Sequence, residues 1–173
     1  MARSLPEPRT HLMEGDDLVL FQMIQENLRC LAELRTRTRA AERGGPLGRQ
    51  VTCPADIYEL VRYEMEDLVQ EQARVILLDT RCHVLDAVLV YQGNVNSTSF
   101  RAAELLRDAV IRNAPSLVLV HNHPSGDPEP SPPDIALTRE LVKAGDLLGI
   151  EVSDHVVVGR AAFVSLKQRG LLK

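Results

Sequence analysis

The chain has 173 residues, of which 45% are hydrophobic, and a formal net charge of −4. That length suits one domain with an extension, and the negative charge disfavours a general nucleic-acid-binding surface, which is ordinarily basic. The three cysteines are widely separated, which favours free thiols in a reducing compartment over a disulfide framework. We find no stretch of membrane-spanning length and no apolar signal-peptide core near the N-terminus. These features predict a cytoplasmic protein without membrane contact.

Residues 1–50 are predicted to form an extension. From Asp16 onwards, apolar residues recur at three- and four-residue spacing, which predicts an amphipathic helix over about 16–40. Residues 42–48 are rich in glycine and proline and are typical of a linker. The apolar stripe of the helix must be covered by the main domain or by a second copy of itself, so a homodimer through this helix is one expectation.

Residues 51–173 alternate between helix and strand patterns. The predicted elements are a helix opening at Pro54, strands over 75–78 and 83–91, a helix over 100–112, a strand over 117–120, a helix over 132–149, and strands over 150–159 and 163–166. The alternation includes one hairpin, so it predicts an α/β layered domain with a mixed sheet.

The most informative stretch follows the strand over 117–120. His121 and His123 come directly after it and project from the same side if the extended geometry continues. A loop rich in proline and glycine then leads to Ser131-Pro-Pro-Asp134, a helix start with Ser131 as N-cap. Ser-x-x-Asp alone is a common capping box, but together with the two histidines it favours a metal site. Two imidazoles and one carboxylate leave a tetrahedral zinc ion one open position for water, which is typical of catalytic sites.

His-x-His-Pro followed by Ser-x-x-Asp resembles the signature of the JAMM (MPN+) metalloproteases. The longer string from His121 to Asp134, together with Asp154-His155-Val-Val-Val-Gly159, is similar to the RadC-like branch of that family. The likeness runs from about Thr52 to the C-terminus. It implies a single MPN/JAMM-like domain over 51–173, a mixed β-sheet with flanking helices, in which His121, His123 and Asp134 bind one zinc ion per chain.

The resemblance also implies two catalytic residues. Glu71 best matches the glutamate that accepts the proton of the attacking water, and Ser131 matches the serine that donates to the developing oxyanion. Ser131 is also the expected N-cap, and the two roles compete for one hydroxyl. Glu104 is the alternative base, but it lies in a predicted helix where a carboxylate is more often exposed or paired with a neighbouring arginine.

Three further residues near the motif have less specific interpretations. Asp127 and Glu129 are alternative carboxylates, expected to be solvated because they lie in a loop. His155 interrupts an apolar strand and is interpreted as a core histidine without a metal role, the alternative being that it orients a ligand from behind.

The leading hypothesis is a zinc-dependent hydrolase of peptide or isopeptide bonds that acts on a protein or peptide substrate. One alternative is a DNA-repair-associated or nuclease-type protein, although HNH nucleases have widely spaced histidines. RadC-like sequences usually carry a helix-hairpin-helix module ahead of this domain; we expect none within residues 1–50, and therefore weak or no nucleic-acid binding. The other alternative is a non-catalytic MPN interaction scaffold, which the intact set of metal ligands disfavours.

Overall fold

The computed structural model describes residues 47–93 and 101–172. The described residues belong to one compact unit, which spans 44–173. The predicted N-terminal helix lies outside the described residues, and so do residues 94–100. No helix within the described ranges is both long enough and apolar enough to cross a membrane.

The described residues form three helices and a five-stranded sheet. The helices are α1 (Pro54–Met65), α2 (Ala102–Ile111) and α3 (Pro132–Leu148), and the strands are β1 (Glu71–Leu78), β2 (Val84–Gly93), β3 (Ser116–Asn122), β4 (Glu151–Val158) and β5 (Phe163–Ser165). The strand order is β2-β1-β3-β4-β5. Strands β3 and β4 are parallel, and the other neighbours are antiparallel. The predicted α/β domain with a mixed sheet is confirmed.

The sheet is covered on both faces, because successive side chains of a strand point to opposite sides. One face packs against α2 and α3 through buried residues that include Val75, Leu105, Leu117, Leu119 and Leu141. The other face packs against α1 through residues that include Ile57, Met65, Ile76, Val118 and Val156. Odd-numbered positions of β3 thus face α2 and α3, and this alternation directs His121 towards the start of α3.

Helix α3 connects the two parallel strands, and its ends agree with the sequence prediction. Ser131 is the N-cap and accepts a hydrogen bond from the backbone N–H of Asp134, and prolines occupy the first two helical positions. Gly149 ends the helix at φ 70°, a left-handed conformation that favours glycine. The chain then enters β4, so α3 runs from the carboxyl end of β3 to the amino end of β4.

Strand β1 is longer than the sequence predicts. It begins at Glu71, whereas the apolar pattern placed its start at Val75 and left Glu71 just before the strand. The prediction was wrong because Glu71 and Gln72 are polar yet buried, so hydrophobicity does not mark them as strand residues. Their backbone pairs with Gly93 and Gln92 of β2, which extends the ladder to the sheet end that carries the histidines.

Gly145 is the point of closest approach between α3 and the chain that follows it. A Cβ atom at this position would lie 2.5 Å from the backbone oxygen of Ile150 and 3.2 Å from Val152 Cγ2. The same turn is closed by a 2.9 Å hydrogen bond from the N–H of Ile150 to the carbonyl oxygen of Gly145. The backbone oxygen cannot move away cheaply, so only glycine fits here.

We predict that Gly145→Ala destabilises the domain by about 1–3 kcal/mol, although alanine is the better helix former. Urea denaturation of the unaltered and altered proteins measures the difference. Glu140→Ala, at an exposed position of the same helix, is the control and should change stability by less than about 0.5 kcal/mol. Equal or greater stability of Gly145→Ala would contradict the close approach.

Candidate metal centre

The carboxyl end of β3 and the amino end of α3 bring three side chains together. His121 lies at the end of β3, and His123 follows the strand with its N–H still bonded to the carbonyl oxygen of Val158 on β4 at 2.9 Å. Asp134 occupies the third helical position of α3. Residues separated by a loop in the sequence thus face one another across the end of the sheet.

The potential donor atoms of these three residues converge. The Nε2 atoms of His121 and His123 are 2.9 Å apart, and each lies 3.5 Å from an oxygen of Asp134. His121 and Asp134 are each 1% exposed, whereas His123 is partly exposed. One ligand atom from each residue lies within 4.8 Å of the others, so the group could hold a metal ion. Two imidazole nitrogens and a carboxylate oxygen are a donor set that suits zinc.

The charge of Asp134 is strongly stabilised. Burial opposes its ionisation, but the facing imidazoles of His121 and His123, together with the hydrogen bond from Ser131, outweigh that effect and hold the pKa of the carboxyl well below its usual range. The facing carboxylate of Asp134 raises the pKa of His123, against the opposing effect of burial. The site therefore combines a buried carboxylate with imidazoles that face it, an arrangement that attracts a cation.

The ring of His123 is oriented from outside the cluster. Its Nδ1 lies 2.8 Å from the backbone oxygen of Asp127, and a carbonyl oxygen can only accept, so Nδ1 carries the proton. The other nitrogen, Nε2, is then the one directed at Asp134. The side chain of Asp127 accepts a hydrogen bond from the N–H of Glu129 and takes no part in the cluster.

Glu71 lies close to this group and is almost fully buried. It is 5% exposed, and its negative charge contributes to raising the pKa of His123. Among the described residues, its Oε1 has no hydrogen-bond partner. A buried carboxylate oxygen without a partner is costly, so it calls for a functional explanation.

Asn122 fixes the backbone on either side of Glu71. Its Oδ1 accepts from the N–H of Gln72 at 2.8 Å, and its Nδ2 donates to the carbonyl oxygen of Gln70 at 3.1 Å. The regular pairing of β1 with β3 ends at Ala73 and His121, and the side chain of Asn122 continues it. This contribution was not predicted from the sequence, because it depends on the register of two strands fifty residues apart.

Ser131 makes both hydrogen bonds of the predicted capping box. Its hydroxyl donates to Asp134 Oδ2 at 2.5 Å, its backbone N–H donates to the same oxygen at 2.7 Å, and its Oγ accepts from the N–H of Asp134 at 3.3 Å. The expected N-cap is confirmed. In this structure the hydroxyl proton of Ser131 is directed at the carboxylate.

His155 contacts a candidate ligand that lies 34 residues away in the sequence. It is fully buried on β4, and its Nε2 lies 2.7 Å from His121 Nδ1. Burial lowers the pKa of His155 well below its usual range, so the ring is neutral. The sequence did reveal a polar pair inside an apolar strand, but not which side of the sheet His155 faces. Its neighbour Asp154 is structural and accepts hydrogen bonds from Ser165 and Lys167.

The alternative carboxylates lie outside the cluster. Glu104 sits in the first turn of α2, where it pairs with Arg101 at 2.6 Å, as the sequence suggested for a helical carboxylate. Glu129 pairs with Arg169 at 3.1 Å. Neither belongs to the group that could hold a metal.

A cavity of about 670 Å³ opens at the other end of the sheet. Its lining includes Ser116 and Glu151, the first residues of β3 and β4, and the two exposed thiols of Cys53 and Cys82. It contains none of the site residues predicted from the sequence.

Comparison with known proteins agrees with this arrangement. Residues 51–171 match the family model described as RadC-like JAB domain. A UPF0758 protein of Chloroflexus aurantiacus is 49% identical over 121 residues, covering 70% of this chain and 53% of the relative. A UPF0758 protein of Roseiflexus castenholzii is 47% identical over 122 residues, covering 70% of this chain and 52% of the relative. One of Desulfitobacterium hafniense is 43% identical over 146 residues, covering 84% of this chain and 63% of the relative. The chain spans about half the length of the first two of these curated relatives. The chain belongs to the RadC-like JAB domain family.

Proposed function

We propose that the domain is a zinc-dependent hydrolase of peptide or isopeptide bonds. The observation that carries the proposal is the convergence of His121, His123 and Asp134 beside Glu71, a buried carboxylate whose Oε1 has no partner within the part of the chain that the structure describes. A merely structural site has no use for a further carboxylate, whereas hydrolysis needs a base within reach of the attacking water. Membership of the RadC-like JAB family and the resemblance of the motif to JAMM metalloproteases support the same class.

The donor set fits zinc in a catalytic role. His121 and His123 would supply nitrogen and Asp134 oxygen, and with three protein ligands one tetrahedral position remains for water or substrate. When bound, zinc would activate a water molecule and polarise the carbonyl group under attack. The buried negative charge of Asp134 and the outward hydrogen bond of the His123 ring suit this role.

Glu71 is the proposed proton carrier. Its carboxylate would accept a proton from the attacking water and deliver it to the amine nitrogen as the C–N bond breaks, which leaves Glu71 ready for the next cycle. Asn122 supports this role by holding the backbone on both sides of Glu71, so that the carboxylate is positioned by a strand rather than by a free loop.

Ser131 is the proposed donor to the oxyanion. Its hydroxyl has one proton, which in this structure bonds to Asp134 Oδ2. To stabilise the oxyanion, the hydroxyl would have to turn from the carboxylate to the substrate oxygen, while the backbone N–H of Ser131 continues to hold Asp134. The substrate class, a protein or peptide, follows from the same resemblance and concerns the domain alone.

We predict that the purified protein binds about one zinc ion per chain. His123→Ala or Asp134→Ala should lose most of the metal and keep the fold, because the core is built from other residues. Elemental analysis after dialysis against trace zinc measures the stoichiometry. His83→Ala is the matched control, since His83 pairs with Asp79 outside the cluster, and it should retain zinc. The assignment of the ligands is wrong if a variant with both His121 and His123 replaced by alanine still binds stoichiometric zinc.

The assignment of the base predicts opposite behaviour for two glutamates. Glu71→Gln should retain zinc and fold but lower the hydrolysis rate roughly 10²–10⁴-fold, because it removes the proton acceptor without changing shape. Glu104→Gln, which removes a partly exposed carboxylate paired with Arg101, should change the rate little. Internally quenched peptides, joined through either the α-amino or the ε-amino group of lysine, serve as substrates. Loss of activity in Glu104→Gln but not in Glu71→Gln would reverse the roles.

A further inference from the structure

The ring of His121 is held from behind by two buried side chains. His155 Nε2 lies 2.7 Å from His121 Nδ1, and Thr138 Oγ1 lies 2.6 Å from His155 Nδ1. Thr138 Oγ1 also lies 2.6 Å from the backbone oxygen of Asp134, one helical turn earlier on α3. We call Thr138, His155 and His121 the imidazole relay. Its three residues are at most 1% exposed, so water cannot replace any of these hydrogen bonds.

The directions of these hydrogen bonds follow from proton counting. The carbonyl oxygen of Asp134 can only accept, so the hydroxyl of Thr138 donates its single proton there. The hydroxyl oxygen is then an acceptor, and His155 Nδ1 is the donor to it. The ring of His155 is fully buried and carries a single proton, which lies on Nδ1, so its Nε2 accepts. The donor to that nitrogen is His121 Nδ1–H.

We infer that Thr138 and His155 are positioning residues that hold His121 in the tautomer whose Nε2 lone pair faces His123 and Asp134. The inference rests on the proposed metal site and adds a device that prepares it. In the other tautomer, His121 would direct an N–H at the place where a metal must bind, and this proton would have to move first. For His123, the backbone oxygen of Asp127 holds the proton on Nδ1 in the same way.

The relay also connects the three elements that build the site. Thr138 lies on α3, His155 on β4 and His121 on β3, and these are neighbouring elements of the fold. One end of the relay is the backbone of Asp134 and the other end is the ring of His121, and both residues belong to the candidate ligand set. The hydroxyl of Thr138 therefore determines which ring nitrogen of His121 carries the proton. It also determines the position of His121 relative to Asp134.

The test compares two substitutions at one position. Thr138→Val has nearly the same shape as threonine but lacks the hydroxyl, and it should weaken zinc binding about 10–100-fold. Thr138→Ser keeps the hydroxyl and should bind zinc nearly as tightly as the unaltered protein. Competition with a chromophoric chelator gives the dissociation constants, and thermal denaturation of the metal-free proteins reports whether each variant is folded.

Ser165→Ala is the matched control. It removes another buried hydroxyl, whose 2.5 Å hydrogen bond to Asp154 Oδ2 lies outside the relay, and it should lower thermal stability without changing zinc affinity. Three results would overturn the inference: unchanged zinc affinity in Thr138→Val, equal weakening in Thr138→Ser, or equal weakening in Ser165→Ala.

A measurement on the unaltered protein applies even if Thr138→Val does not fold. Two-bond ¹H–¹⁵N correlation spectra of the metal-free protein report which ring nitrogen carries the proton. We expect protonated Nδ1 and unprotonated Nε2 in both His121 and His155. A proton on His121 Nε2 would overturn the inference but not the proposed function. Failure of the unaltered protein to bind zinc would instead overturn the proposed function, and the inference with it.

Discussion

The hydrogen bonds between Ser131 and the carboxylate of Asp134 determine where α3 begins and which way Asp134 points. Two prolines stiffen the first turn, and the backbone and hydroxyl of Ser131 both donate to Oδ2. A capping box normally satisfies only the end of a helix. Here the other oxygen of the same carboxylate faces His121, so a common helix-start device also positions a candidate metal ligand. Because α3 joins two parallel strands, its start is held opposite the end of β3.

The site is polar within an otherwise apolar layer, and its polar atoms are satisfied largely by one another. His155, Thr138, Asp134 and Asn122 are all nearly inaccessible to solvent and hydrogen-bonded. Such a network is favourable only when it is complete, because a buried polar group without a partner is costly. Within the described residues the exception next to the cluster is Glu71 Oε1. Among the described residues, the one buried carboxylate oxygen without a protein partner thus belongs to the residue proposed to act on a water molecule.

The parts of the site that were predictable are those encoded locally. His121, His123 and Asp134 fall within one strand–loop–helix unit, whose strand pattern and helix cap can be recognised without knowledge of the rest of the fold. The contacts of His155 and Asn122 could not be predicted in this way, because they bridge 34 and 50 residues and depend on strand register. The start of β1 was misplaced for a related reason: burial of Glu71 is imposed by neighbouring strands and not by its own hydrophobicity.

The central claim, that two imidazoles and one carboxylate of this cluster hold zinc, is tested most directly by X-ray absorption at the zinc edge. The protein is loaded with one equivalent of zinc for the measurement. The account predicts nitrogen and oxygen neighbours at about 2.0–2.2 Å, with outer-shell scattering from two imidazole rings. A sulfur neighbour at about 2.3 Å would show that zinc binds a cysteine such as Cys53 or Cys82, both of which are free and exposed. That result would contradict the account.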